Sequence, residues 1–170
     1  MFKTKKVKSE VQPAERSFTS SEIAEMTGVS LRQLQWWDEQ KVVSPRHEGH
    51  KRIYLAEEAV EIAVIAELRR KGFSLQKIRQ VLRFLQKEMG KRLGEIFGAE
   101  SDWHLVTDGK SIFLEDNSER IIDIFKNSEQ PMFLVCVTDQ ARRLGVTVPG
   151  AARKPVRTEI SANVRKARAV

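Results

Sequence analysis

The side chains best placed for specific chemistry fall between positions 30 and 54. Ser30, Arg32, Gln33 and Gln35 lie within one short stretch and run into the adjacent aromatics Trp36 and Trp37. Arg and Gln can pair bidentately with guanine and adenine edges, and both also bond phosphates, the commoner use. Arg46, His47, Lys51 and Arg52 follow around Gly49, and Tyr54 closes the group. This is the chemistry of polyanion recognition. No catalytic constellation appears, so the chain is not expected to be an enzyme. Cys136 is the only cysteine, which excludes an internal disulfide and a cysteine-cluster metal site within one chain. His47 and His50 form a His-x-x-His pattern, but without further ligands nearby a solvated loop is expected. No metal and no cofactor is predicted.

These residues need a frame. Thr19-Ser20-Ser21-Glu22 is a capping box that opens a short helix from Ser21 to Met26, with Ile23, Ala24 and Met26 inward. Gly28 suits the left-handed position just past that helix. Ser30-Leu31-Arg32-Gln33 is a second capping box and opens a helix over about 31–40. Two helices separated by a few residues with a glycine make a helix-turn-helix. Trp37 falls three residues after Leu34 and so belongs to the inward face, whereas Trp36 is free to stack or to donate its indole N–H. Tyr54 suits either core or contact.

Residues 41–54 hold Pro45 and Gly49 and read as a loop or short hairpin. Leu55 to Lys71 predicts a third helix, with Leu55, Ala59, Ile62, Ala63 and Ala66 on one stripe. Ser74 caps a fourth, whose Leu75, Ile78, Leu82, Leu85 and Met89 form a short heptad seam.

The stretch from Phe18 to about Gln86 resembles the DNA-binding domain of the MerR family of bacterial transcription regulators. Five segments carry the resemblance in order: Ser21-Glu22-Ile23-Ala24 with Thr27-Gly28-Val29-Ser30, then Arg32-x-Leu34-x-Trp36-Trp37-Asp38, Val42-Val43-x-Pro45, Lys51-Arg52-Ile53-Tyr54, and Gly72-Phe73-Ser74-Leu75-x-x-Ile78. The resemblance implies a winged helix-turn-helix that contacts double-stranded DNA through Ser30, Arg32, Gln33, Gln35, Trp36, Arg46, His47, Lys51, Arg52 and Tyr54. Within it, Trp36 lies against the DNA backbone. It also implies a homodimer on a symmetric promoter site and contact with RNA polymerase through distorted promoter DNA. Two departures stand out. Gln35 replaces the family's second arginine, and no long apolar-periodic helix follows Met89. The lone Cys136 disfavours metal and redox-cluster sensing.

Beyond Met89 the pattern changes. Gly90, Gly94 and Gly98 predict a linker over 90–98. Trp103–Thr107 and Ser111–Glu115 read as strands joined by a type I′ turn at Asp108-Gly109. Asp116-Asn117-Ser118 caps a helix over about 119–127. Residues 132–137 are apolar on both faces, the signature of a covered central strand. The fold class is thus mainly α with a small α+β module. A winged helix-turn-helix domain over 18–89 precedes a small β-β-α-β domain over 99–144. A disordered basic arm over 1–17 and a flexible basic tail over 145–170 flank them.

The formal net charge of +7 is unevenly spread. Residues 18–89 carry only +2, residues 90–141 carry −5, and residues 142–170 carry +7. The case for nucleic acid therefore rests on placed residues more than on net charge. No run is long and apolar enough to span a membrane, and the start lacks the apolar stretch of a signal peptide, so a cytoplasmic, nucleoid-associated protein is expected. The 99–144 module is expected to serve dimerisation, or binding of a ligand or protein partner. The competing functions are an architectural, excisionase-like DNA-binding protein without an effector, and an adaptor acting through the acidic module.

Overall fold

The computed structural model describes residues 15–147. The expected arm over 1–17 and tail over 145–170 lie outside the described residues, apart from 15–17 and 145–147. Contrary to that expectation, residues 145–147 are held against the body: Val146 is fully buried and its N–H bonds the Ala141 carbonyl at 3.1 Å. Arg16 meets this end of the chain. Its guanidinium lies 4.6 Å over the Phe18 ring, and Nη1 donates to the Leu144 carbonyl at 3.4 Å.

The elements run β1 (Ser17–Thr19), α1 (Ser20–Thr27), α2 (Leu31–Glu39), β2 (Arg46–Glu48), β3 (Lys51–Leu55), α3 (Ala56–Arg70), α4 (Leu75–Gly98), β4 (His104–Thr107), β5 (Ile112–Glu115), α5 (Ser118–Asn127), β6 (Phe133–Cys136) and α6 (Val137–Arg143). Two three-stranded antiparallel sheets form, ordered β1-β3-β2 and β5-β4-β6.

The helix α3 is the hub. Most of its residues are buried, from Ala56 to Leu68, as expected of a helix surrounded by other elements. It touches α1, α4, α6, β1, β3 and β6. One hydrophobic cluster therefore joins Phe18, Ile23, Leu34 and Trp37 to Ile62, Ile65, Leu82, Leu85, Leu105, Val135, Val137 and Leu144. The α+β module packs straight onto the N-terminal helices.

Several expectations change here. Residues 90–98 are helical, so the glycines lie inside α4; only Arg92 leaves helical geometry, with φ −118° and ψ 15°. Its guanidinium sits 4.5 Å over the ring of buried Trp103. Met89, Ile96 and Phe97 are buried, and that apolar burial outweighs the roughly 1 kcal/mol that each glycine costs a helix. Residues 132–137 do not form a central strand. β6 is an edge strand, β4 is the central one, and Val137 already begins α6. The β4–β5 connection is a four-residue loop, not a type I′ turn, because Asp108 Oδ1 accepts from the N–H groups of Lys110 and Ser111, each at 2.7 Å. Met26 and Leu55, expected inward, are 42% and 51% exposed.

Glu61 is the one buried carboxylate on α3. It is 7% exposed and accepts from Gln86 Nε2 at 3.0 Å across the α3–α4 contact. Burial pushes its carboxyl up to about 7 from 4.5, against the opposing hydrogen bond from Gln86. Between those two values the folded chain binds a proton that the unfolded chain has released, so this group's contribution to stability falls as pH rises through the window. Glu61→Gln should therefore gain stability over the parent by on the order of 2 kcal/mol at pH 8, and little at pH 4.5. Thermal unfolding of both proteins across that range tests it; a stability difference that stays flat with pH would count against it.

Candidate nucleic-acid interface

The helix-turn-helix forms through two local caps. Thr19 Oγ1 accepts from the Glu22 N–H at 3.3 Å, while the Glu22 carboxylate accepts from the Thr19 N–H at 2.7 Å. Gly28 takes the left-handed conformation at φ 73°, and its N–H bonds the Ala24 carbonyl at 3.0 Å, ending α1. Ser30 Oγ then accepts from the Gln33 N–H at 3.1 Å, and Gln33 Oε1 accepts from the Ser30 N–H at 3.2 Å. Ser30 and Gln33 are exposed, but their side chains are engaged in starting α2. Leu34 and Trp37 face the core. Arg32, Gln35 and Trp36 therefore face outward, with Trp36 46% exposed. Gln35 Nε2 donates to Glu39 Oε1 at 2.8 Å, which orients that amide along the helix.

The wing is the β2–β3 hairpin. Gly49 turns it at φ 62°, with His47 opposite Arg52 and Glu48 opposite Lys51. This cross-strand pair reaches back to α2. His47 Nε2 lies 2.9 Å from Asp38 Oδ2, and Arg52 Nε donates to the same oxygen at 2.6 Å. Asp38 is in the last turn of α2 and is 4% exposed. A buried carboxylate is costly without donors, so this contact fixes the wing relative to α2. Arg46 pairs with Glu48 at 2.6 Å on the open surface, where such a pair adds little. Lys51 is exposed and has no ion-pair partner among the described residues.

Tyr54, expected among the DNA contacts, does not reach the surface. It is fully buried, and burial pushes its phenol above the ordinary value. It pairs with Phe18 across β1 and β3 and offers no surface to a duplex.

Between these elements lies an open cleft of about 550 Å³. Thr19, Ser20 and Ser21 at the start of α1 form one wall, Leu31, Arg32 and Gln35 another, and His50, Lys51 and Arg52 the third. Arg32, Lys51 and Arg52 are its charged residues, and all are basic. Leu31, 54% exposed, adds an apolar contact point. Ser20, Ser21 and His50 also line the cleft and were not among the expected contacts. For Ser20 and Ser21 the capping box is the available signal, since a helix start presents N–H groups to an anion. Arg46, His47 and Trp36 are exposed but do not line the cleft.

One other cluster of potential ligands occurs among the described residues: Asp102, Cys136 and Asp139. The guanidinium of Arg142 already occupies it, with Nη1 at 2.7 Å from Asp102 and 2.9 Å from Asp139. Burial pushes the Cys136 thiol up to about 11, so it stays protonated near neutral pH. No helix among the described residues is long and apolar enough to cross a membrane.

Compared with known families, residues 18–85 match the MerR HTH family of regulatory proteins. The match covers the winged helix-turn-helix and the first half of α4, and stops before the α+β module. No curated protein matches the chain.

The Asp38 bridge gives a test whose sign is informative. Asp38→Asn removes a negative charge near the cleft, so a field effect alone would strengthen DNA binding. Loss of the wing anchor should instead weaken it, and should cost stability by about 1–3 kcal/mol. Fluorescence anisotropy on duplex DNA and urea unfolding measure the two; tighter DNA binding would contradict the anchoring role.

Proposed function

From a MerR-type regulatory domain at residues 18–85, we propose that the chain is a sequence-specific transcription regulator that binds a two-fold symmetric promoter site as a dimer. The cleft carries this reading: the outward face of α2, the start of α1 and the wing converge on one surface whose charged residues are all basic. In such folds the second helix presents its N-terminal residues to the major groove. Arg32 and Gln35 are the base-reading candidates, because they are exposed on α2 and their side chains can pair bidentately with base edges. Ser30 and Gln33 act as the cap that aims the helix. Trp36 offers its indole N–H to a phosphate beside it. Lys51, Arg52, Arg46 and His47 bring the wing to the neighbouring backbone or minor groove.

Family analogy extends the mechanism. A dimer straddling an over-long promoter spacer would distort the DNA and bring the polymerase contacts into register. The dimer contacts here come from the 99–144 module, in place of a long coiled coil. The protein acts at the nucleoid, on double-stranded DNA, without a bound cofactor.

Two substitutions separate base reading from phosphate contact. On a duplex isolated by genomic capture with the purified chain, Arg32→Ala should cost about 1–3 kcal/mol and relax preference at one position of each half-site. Lys51→Ala should weaken binding evenly across sequences and lower the salt slope by about 1. Anisotropy titrations at several salt concentrations measure both. If Arg32→Ala leaves affinity and sequence preference unchanged, α2 is not the reading helix.

A further inference from the structure

The inward face of the β5-β4-β6 sheet carries Leu105, Leu114, Val135 and Phe133, which belong to or pack against the shared core. The opposite face carries Val106, Phe113 and Leu134, aligned across the strands. α5 joins β5 to β6, and since α3, α4 and α6 pack on the inward side, it lies on the outer one. There its apolar residues Ile121, Ile122, Ile124 and Phe125 form one arc, yet none of the residues of α5 is buried. Ile122 is 51% exposed, Phe125 41%, and Phe113 and Leu134 on the outer sheet face 37% each. Val106 on this outer face is fully buried, but no residue of α5 belongs to the shared core, and the part of the arc left open has the character of an interaction surface.

The charges beside the arc choose the occupant. Glu119 and Lys126 are both exposed and sit on one flank of Ile122, about 10 Å apart along the axis. Neither has an ion-pair partner among the described residues, whereas Arg120 is held by Glu115 at 3.7 Å. A two-fold axis through the middle of α5 would lay a second α5 antiparallel on the first. Glu119 of each copy would then meet Lys126 of the other, twice per dimer, with Ile122 and Phe125 packed between them. A self-complementary patch of this kind is what an isologous contact requires. We propose that the exposed apolar face of α5, with Phe113 and Leu134, is the dimer interface of this protein, and that its occupant is a second copy of the same chain in antiparallel register. This rests on the reading of the chain as a dimeric DNA-binding regulator and supplies the surface that reading needs.

Charge reversal on the full chain tests it, with sedimentation velocity over a range of concentrations and duplex footprinting alongside. The parent chain should sediment as a dimer. Glu119→Lys and Lys126→Glu should each weaken dimerisation about tenfold or more, because each places like charges at both crossings. The double variant should recover the dimer. So should an equimolar mixture of the two single variants, which restores opposite charges at both crossings, and no effect on folding could mimic that rescue. A monomeric parent chain, single variants that remain fully dimeric, or a mixture that stays dissociated would each overturn the proposal. Dimeric single variants that still protect a symmetric site would overturn this surface and leave the DNA reading standing. Rescue by mixing, in a chain that protects no DNA, would support the surface and overturn the DNA reading.

Discussion

Asp38 lies at the end of α2 with its side chain 6% exposed, and one of its oxygens faces donors from both strands of the wing. Burying a carboxylate without donors is strongly unfavourable, so the low-energy arrangement is the one in which β2 and β3 both reach it. The hairpin needs that anchor, because β2 is exposed along its whole length and an isolated hairpin is marginal in water. On the other side β3 is held by β1, through pairs such as Phe18 with Tyr54. The relative position of Arg32, Lys51 and Arg52 in the cleft follows from these two attachments.

Behind the cleft, α3 ties both halves of the chain together. Its buried surface is shared by the helix-turn-helix on one side and by α6 and β6 on the other. A cavity opened on either side would lie in the same core, so the two halves should gain and lose order together. Arg70 strengthens the N-terminal side by donating to the Thr27 carbonyl at 2.8 Å, at the end of α1. Trp103 strengthens the other side: its N–H donates to Thr138 Oγ1 at 2.9 Å, its carbonyl accepts from Val137 at 2.8 Å, and its ring lies under Arg92. The acidic 90–141 segment is thus part of the main body as well as the carrier of the outer patch.

What was legible in the sequence was local. Both capping boxes, Gly28 and the inward pair Leu34 and Trp37 follow from spacing over one or two turns, and each appears where spacing put it. The failures lie where tertiary contacts outweigh local preference. Gly90, Gly94 and Gly98 argue locally against a helix, but burial of Met89, Ile96 and Phe97 carries α4 through them. The run 132–137 looks uniformly apolar because it is a short edge strand followed by a helix, and Val137, Ala141 and Leu144 supply that helix's buried stripe. Asp108-Gly109 invites a tight turn, yet the Asp108 side chain captures two later N–H groups and lengthens the loop. For the site, residue types located α2 and the wing. The tie from Asp38 to Arg52 spans 14 positions and has no local signal. Tyr54 ends a basic segment and looks like a contact residue until its strand partner is known.

A hydroxyl-radical footprint of the full-length chain on DNA captured from the genome tests the central claim most directly. A wing and a reading helix fixed by Asp38, repeated by a two-fold axis, should protect one bounded site. Its two matching halves should be centred a whole number of helical turns apart, in multiples of about 10–10.5 base pairs. A protection ladder that spreads with protein concentration, or no protection at all, would contradict the account.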